Sequence, residues 1–296
     1  MCISVAPSAM SGTKLYAGEA ELNGKYVHVL AYGNTARSLT PRPNAMILPF
    51  PTLEAMGPEN IIDTRPFPKF LDAYAAAVQP RMRSKGLTLS ARGMDGMKSV
   101  RVFESGSYTV ILAANPADIP AALERVPPSR RPDTNEAIFE AFQILYPGQP
   151  VALCCWSGEI KPEPLLWWYE PKDKNTFFLP ALDAHDGMPP RAQRVEVDHT
   201  LIFGSTINPI GTRADIAGPP PGRMLDLLPP LVQGAVFLQT MPNGDFYLPV
   251  KKLQEQRMGV QRIAPAALED VVPPSANKAR LLAAWTRPAS SLSDED

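Results

Sequence analysis

Apolar residues in this chain come in short runs, and turn residues stop almost every one. Residues 3–6 read as a brief strand. The runs 15–22 and 26–32 flank Asn23-Gly24, which supplies the positive φ of a two-residue turn and predicts a β-hairpin. Ala45-Met46-Ile47-Leu48 is a further strand, closed by prolines on both sides. Phe70, Leu71, Tyr74, Ala77 and Val78 recur at helical spacing and predict an amphipathic helix over 68–82. A basic, glycine-containing loop follows over 81–98.

Beyond that loop the pattern predicts a strand at 107–114 and a short helix at 116–126. A longer helix runs to Tyr146, capped by Asp133 or Thr134 with Glu136 in its first turn. Strands follow at 150–156 and 195–203. The runs 165–170 and 176–179 read as a pair around the polar turn 172–175. A brief helix is expected at 224–232. A second Asn-Gly hairpin is expected around Asn243-Gly244, between 234–240 and 245–250. Helices and strands do not alternate as in a doubly wound sheet. The expected class is α+β, a largely antiparallel sheet system with at least two β-hairpins and a few short helices. Residues 1–289 are expected to form a single domain, with an internal loop or linker at 204–222 and a frayed acidic tail at 290–296.

Composition narrows the functional classes. The 296 residues are 45% hydrophobic and 20% charged, enough for a sizeable core. The formal net charge is -1, which argues against a nucleic-acid partner held by phosphate contacts and against an anionic lipid surface. No apolar run reaches the length of a membrane helix, and no basic-then-apolar leader is present. A cytoplasmic location is the expectation. Thirty-four prolines, about twice the usual share, punctuate the chain and predict stiff connections between short elements. Three cysteines, two of them adjacent, make a poor disulfide framework; Cys154 and Cys155 read as core residues on opposite faces of a strand.

The residue with the most chemical content is Cys2. A small residue at position two favours removal of Met1, which would leave a thiol and a free α-amine on one residue. The thiol can attack a carbonyl, and the amine, with a pKa of roughly 8, can take its proton. Over about the first fifty residues, the run Met1-Cys2-Ile3-Ser4 and the strand–hairpin–strand order after it resemble the cysteine-initiated N-terminal nucleophile hydrolases. The resemblance implies sandwiched sheets and a nucleophilic Cys2. The chain departs from that pattern in having no arginine before Arg37 and no aspartate before Asp63. Asn34, in Tyr32-Gly33-Asn34-Thr35, can supply an amide to an oxyanion or serve as a turn residue.

Other clusters carry weaker chemistry. Asp183, His185 and Asp186, with Asp198-His199 close behind, hold atoms suited to a divalent ion. They lack ligand-motif spacing, so hydrogen-bonded histidines are expected, with no metal and no cofactor. Cys155 with His185 or His199 is a remote thiol–imidazole pair. Trp167-Trp168-Tyr169 places aromatics on both faces of a strand, one of them core and the other core or a partner surface. Two functions stand open. One is an amide or acyl hydrolase using Cys2, with Asn34 in support. The other is a binding or assembly protein using an aromatic face and proline-stiffened loops. A small molecule or a protein is the expected partner, and oligomeric state is not legible.

Overall fold

A computed structural model describes residues 3–79 and 100–264. Cys2, the basic segment at 81–98 and the tail at 290–296 lie outside the described residues. The chain opens with β1 (Ile3–Ser4), β2 (Ser8–Leu22) and β3 (Lys25–Ser38). Asn23 and Gly24 take φ of 54° and 75°, and Leu22 pairs with Lys25, so the predicted Asn-Gly turn closes an antiparallel hairpin. Next come β4 (Asn44–Pro49), β5 (Ile61–Ile62), α1 (Phe70–Val78), β6 (Val100–Ser105) and β7 (Tyr108–Ala113). The last two form a second hairpin, turning where Gly106 takes φ of 55°. They are followed by α2 (Ile119–Ala122), α3 (Glu136–Leu145), β8 (Val151–Trp156), β9 (Glu159–Ile160), β10 (Leu165–Tyr169), β11 (Thr176–Leu179) and β12 (Arg194–Ser205). The described chain ends through β13 (Thr212–Arg213), α4 (Met224–Leu227), β14 (Leu231–Pro242), β15 (Asp245–Pro249), α5 (Val250–Gln254) and β16 (Gln261–Ile263).

These strands make two large sheets and one small one. The first runs β1-β4-β8-β7-β6, the second β13-β14-β12-β2-β3-β10-β5, and the third β11-β15-β16. The pairing of β2 with β12 is parallel, and the other strand pairs among the described residues are antiparallel. The fold is α+β, as the pattern predicts.

The two large sheets pack face to face. Met46, Leu48, Val110 and Cys154 of the first meet Leu15, Leu30, Trp167 and Leu201 of the second. The outer face of the first sheet, through Ile47, Ile111, Leu153 and Cys155, is covered by Ile119 of α2 and by Ile138, Phe139 and Phe142 of α3. The outer face of the second, through Tyr16, Val29, Ala31 and Ile202, is covered by Phe70, Leu71 and Tyr74 of α1 and by Met224 and Leu227 of α4. The layers therefore run helix, sheet, sheet, helix. Strands buried on both faces have no polar side to show, which is why β4, β8 and β10 read as continuous apolar runs. Among the described residues, no helix is long and apolar enough to cross a membrane.

Three local expectations are corrected. Asn243-Gly244 does not close a hairpin: β14 belongs to the second sheet and β15 to the third. Neither residue takes the positive φ that such a turn needs, and Asn243 is buried. Likewise β10 and β11 do not pair. β10 lies between β3 and β5, while β11 pairs with β15. The cap of α3 is Asn135, whose side chain accepts from the Ala137 amide, two positions after Asp133.

At the closed end of the β2–β3 hairpin, Glu19 accepts hydrogen bonds from Tyr26 Oη at 2.7 Å and Ser205 Oγ at 2.8 Å. His28 is buried beside them among Tyr169 and Phe177. Burial lowers its pKa from 6.5 to about 4, against the opposing pull of the Lys174 carbonyl and Asp173. The folded state therefore keeps His28 neutral while the unfolded chain takes a proton below pH 6.5. Above that pH His28 has no linkage effect. Between 6.5 and 4 stability falls, by about 3 kcal/mol in full. Denaturation midpoints across this range check it: His28→Phe flattens the slope, and an unchanged slope contradicts the assignment. Gly24→Val forces a β-branched residue into the left-handed region, where its Cβ meets nothing within 4 Å. The cost is conformational alone, about 1–2 kcal/mol, and chemical denaturation measures it.

Candidate functional site

Strand β1 is pinned at the edge of the first sheet. Ile3 pairs with Ile47 of β4 and bridges Ala184 on its other side. The Ser4 amide donates to the Ala184 carbonyl at 3.0 Å, and the Ser8 amide to the His185 carbonyl at 2.9 Å. The next residues are fixed by Asn44, whose side chain accepts from the Ala6 amide and donates to the Ala6 and Pro7 carbonyls.

Segment 183–191 beside β1 forms the wall of an open cleft of about 290 Å³, lined by Asp183, His185, Asp186, Arg191, Gln193 and Val195. His185 Nε2 stands 3.1 Å from Asp183 Oδ1, short of hydrogen-bond alignment. Arg191 Nη2 donates to Asp186 Oδ2 at 2.9 Å. Burial pushes the His185 pKa down against the pull of Asp183, which keeps the imidazole neutral and able to accept a proton. The cleft thus holds one neutral base, one carboxylate oriented by an arginine and one carboxylate beside the base.

Asn243 holds both ends of this wall. Its Oδ1 accepts from the Asp183 amide at 2.9 Å, and its Nδ2 donates to the carbonyls of Asp183 at 2.8 Å and Arg191 at 3.1 Å. Behind it, buried Asp245 accepts from Tyr146 Oη at 2.6 Å and from the amides of Ala181 and Leu182 at 2.7 and 3.0 Å. Burial raises the Asp245 pKa, and those hydrogen bonds pull it back.

A second polar group lies between the sheets. The β2–β3 register shifts between Ser11 and Lys14, so Gly12 and Thr13 together oppose the single residue Asn34. Gly12 takes φ of 62°, and its amide donates to Asp198 Oδ2 at 2.6 Å, which pins the bulge. Thr13 in turn pairs with His199 of β12. Alternation puts Asn34 on the face of Leu30, Tyr32 and Ala36, Thr13 on that of Leu15, and His199 on that of Val197 and Leu201. All three side chains are buried in the space between the sheets, at 0% (Thr13), 6% (Asn34) and 1% (His199) exposure. Thr13 Oγ1, both polar atoms of Asn34 and both ring nitrogens of His199 have no hydrogen-bond partner.

The structure sorts the sequence candidates as follows. Asn34 sits in the middle of β3, not in a turn. His185 lines the cleft, whereas His199 joins Asn34 between the sheets. Among the described residues no group of three or more His, Cys, Asp and Glu side chains could hold a metal ion. Cys155 faces α2 and α3, buried, with its thiol pKa pushed up to about 12, and is no nucleophile. Trp167 and Tyr169 are core residues. Trp168 is half-buried and donates its indole N–H to the Glu59 carbonyl at 2.8 Å, so β10 presents no open aromatic face. Thr13 and Asn243 were missed. A glycine inside a strand-like run signals a bulge and marks Gly12. Nothing in the sequence separates Asn243 from an ordinary turn asparagine.

Asn243→Ala removes the side-chain partner of the Asp183 amide and carbonyl in a buried site and leaves the Arg191 carbonyl only its bond from the Gln193 amide, for a loss of about 3 kcal/mol. Denaturation measures it, and hydrogen exchange at the Asp183 amide should accelerate. Unchanged exchange there would mean that Asn243 does not hold the wall. Comparison with protein-family models, with curated proteins and with solved structures gives no match, so function is read from these side chains.

Proposed function

We propose that the chain is an N-terminal-nucleophile-type hydrolase of amides or related acyl bonds, with Cys2 as nucleophile after removal of Met1. The observation that carries this reading is the anchoring of the first strand. Ile3, to which Cys2 is bonded, is held between Ile47 and Ala184, and Ala184 lines the cleft that also contains His185. The packing of two sheets with helices outside both agrees with the sandwiched sheets that the resemblance implies.

In this reading the Cys2 thiol attacks the substrate carbonyl while the α-amine takes its proton. The resulting oxyanion accepts a hydrogen bond from an amide donor, the role assigned to Asn34. Collapse expels the leaving amine, which takes the proton, and leaves a thioester. Water then attacks, releasing the acid and restoring the thiol.

Intact mass of the purified protein decides the first requirement, because retained Met1 excludes a free amine on Cys2. With Met1 removed, Cys2 should react with iodoacetamide at least about tenfold faster than buried Cys154 and Cys155. Cys2→Ala should abolish turnover of a panel of N-acyl amides and thioesters while leaving the melting temperature unchanged. Equal turnover by that variant sinks the proposal.

The alternative, a binding or assembly protein, is favoured by one observation. Beyond its pairing with β13 at Leu231 and Val232, β14 has no second neighbour among the described residues, and its outer face exposes Leu238 at 76% and Val236. If assembly is its role, Leu238→Lys reduces the sedimentation mass of the full-length protein at constant stability. A monomer in both forms rules out self-assembly through this edge.

A further inference from the structure

We propose that Thr13, Asn34 and His199 form a buried subsite between the sheets that binds a neutral carboxamide. It rests on the hydrolase reading only for the suggestion that the bound group is the substrate's amide; the subsite itself stands on the three side chains.

The geometry makes these residues one surface. They occupy adjacent strands β3, β2 and β12 in a row, on one face, and the bulge at Gly12 and Thr13 is what brings the middle one into line. Their five unpartnered polar atoms lie in a region otherwise packed with apolar side chains such as Leu15, Leu201 and Phe246, whose ring centroid is 6.0 Å from that of His199. Buried polar groups are normally satisfied, and three unsatisfied neighbours on one face call for an occupant that supplies both donors and acceptors. Asn34 offers donors and an acceptor, Thr13 a hydroxyl that does both, and His199 one of each when neutral. A carboxamide carries the complementary set.

Charge decides against small ions. None of the three side chains is a carboxylate, a lysine or an arginine, so a buried ion would be uncompensated. Asp198 stands close by, its Oδ1 3.8 Å from His199 Nδ1, and it disfavours an anion. A carboxylate is therefore rejected where the isosteric amide is accepted.

The test uses acetamide as the probe on 15N-labelled full-length Cys2→Ala protein, so that no turnover is needed. Acetamide should shift the Asn34 side-chain NH2 and the His199 ring nitrogens saturably, and acetate at equal concentration should leave them in place. Asn34→Leu, checked as folded by its amide spectrum, should weaken the His199 response at least about tenfold. If that variant does not fold, Thr13→Val takes its place, with the Asn34 signal as readout. No saturable shift, equal shifts with acetate or methylammonium, or an undiminished response in the variants overturns the subsite. Binding without hydrolysis by the Cys2-bearing protein refutes the enzyme and keeps the subsite. Hydrolysis without acetamide binding does the reverse.

Discussion

Burial of both large sheets on both faces is the constraint from which the rest of the structure follows. A sheet with one wet face can alternate polar and apolar residues. The central strands of these two cannot, because there each sheet lies between the other sheet and a layer of helices, whereas β14 and the start of β12 keep exposed positions. Those central strands must be apolar almost throughout, and each polar residue inside them must have a reason. Glu19 has one in the hydroxyls of Tyr26 and Ser205, and Asn44 has one in the backbone it ties down after β1. Against that background Thr13, Asn34 and His199 form the row of neighbouring polar side chains without a hydrogen-bond partner, in a core where the Trp156 and Trp167 indole N–H groups also have none.

Side-chain hydrogen bonds hold the irregular parts of the fold. The bulge in β2 is held by Asp198 of β12. The wall of the cleft is held by Asn243, at the point where the chain leaves the second sheet for the third. The first strand is held by that wall and by Asn44. Each device is a side-chain amide or carboxylate satisfying backbone groups that no strand ladder reaches, which is how a loop can lie buried without orphaned donors. The result is a well-tied frame around β1 and segment 183–191.

The cleft and the buried polar row differ in chemistry. The cleft has His185, two carboxylates and an arginine, and it is open to solvent. The row between the sheets is uncharged and closed off by the core. Neither region depends on the aromatic run of β10, which serves packing.

The sequence by itself determined the local elements. The Asn23-Gly24 hairpin, the helix begun by Phe70 and the strands through Ile47 and Leu153 were readable because turn residues and apolar runs act over a few positions. It also singled out Asn34 and the histidines by residue type. Only tertiary structure decided the partners. Asn243-Gly244 has the composition of the first hairpin's turn, yet its asparagine is drawn into the core by Asp183 and Arg191, contacts some fifty to sixty residues away in sequence. The strands β10 and β11 are neighbours in the chain but lie in different sheets, because burial depends on which faces are free elsewhere. His185 and His199, close in sequence, were divided between a wet cleft and a dry interior by one turn of chain and the alternation of a strand. Such choices depend on long-range packing, which no window of neighbouring residues contains.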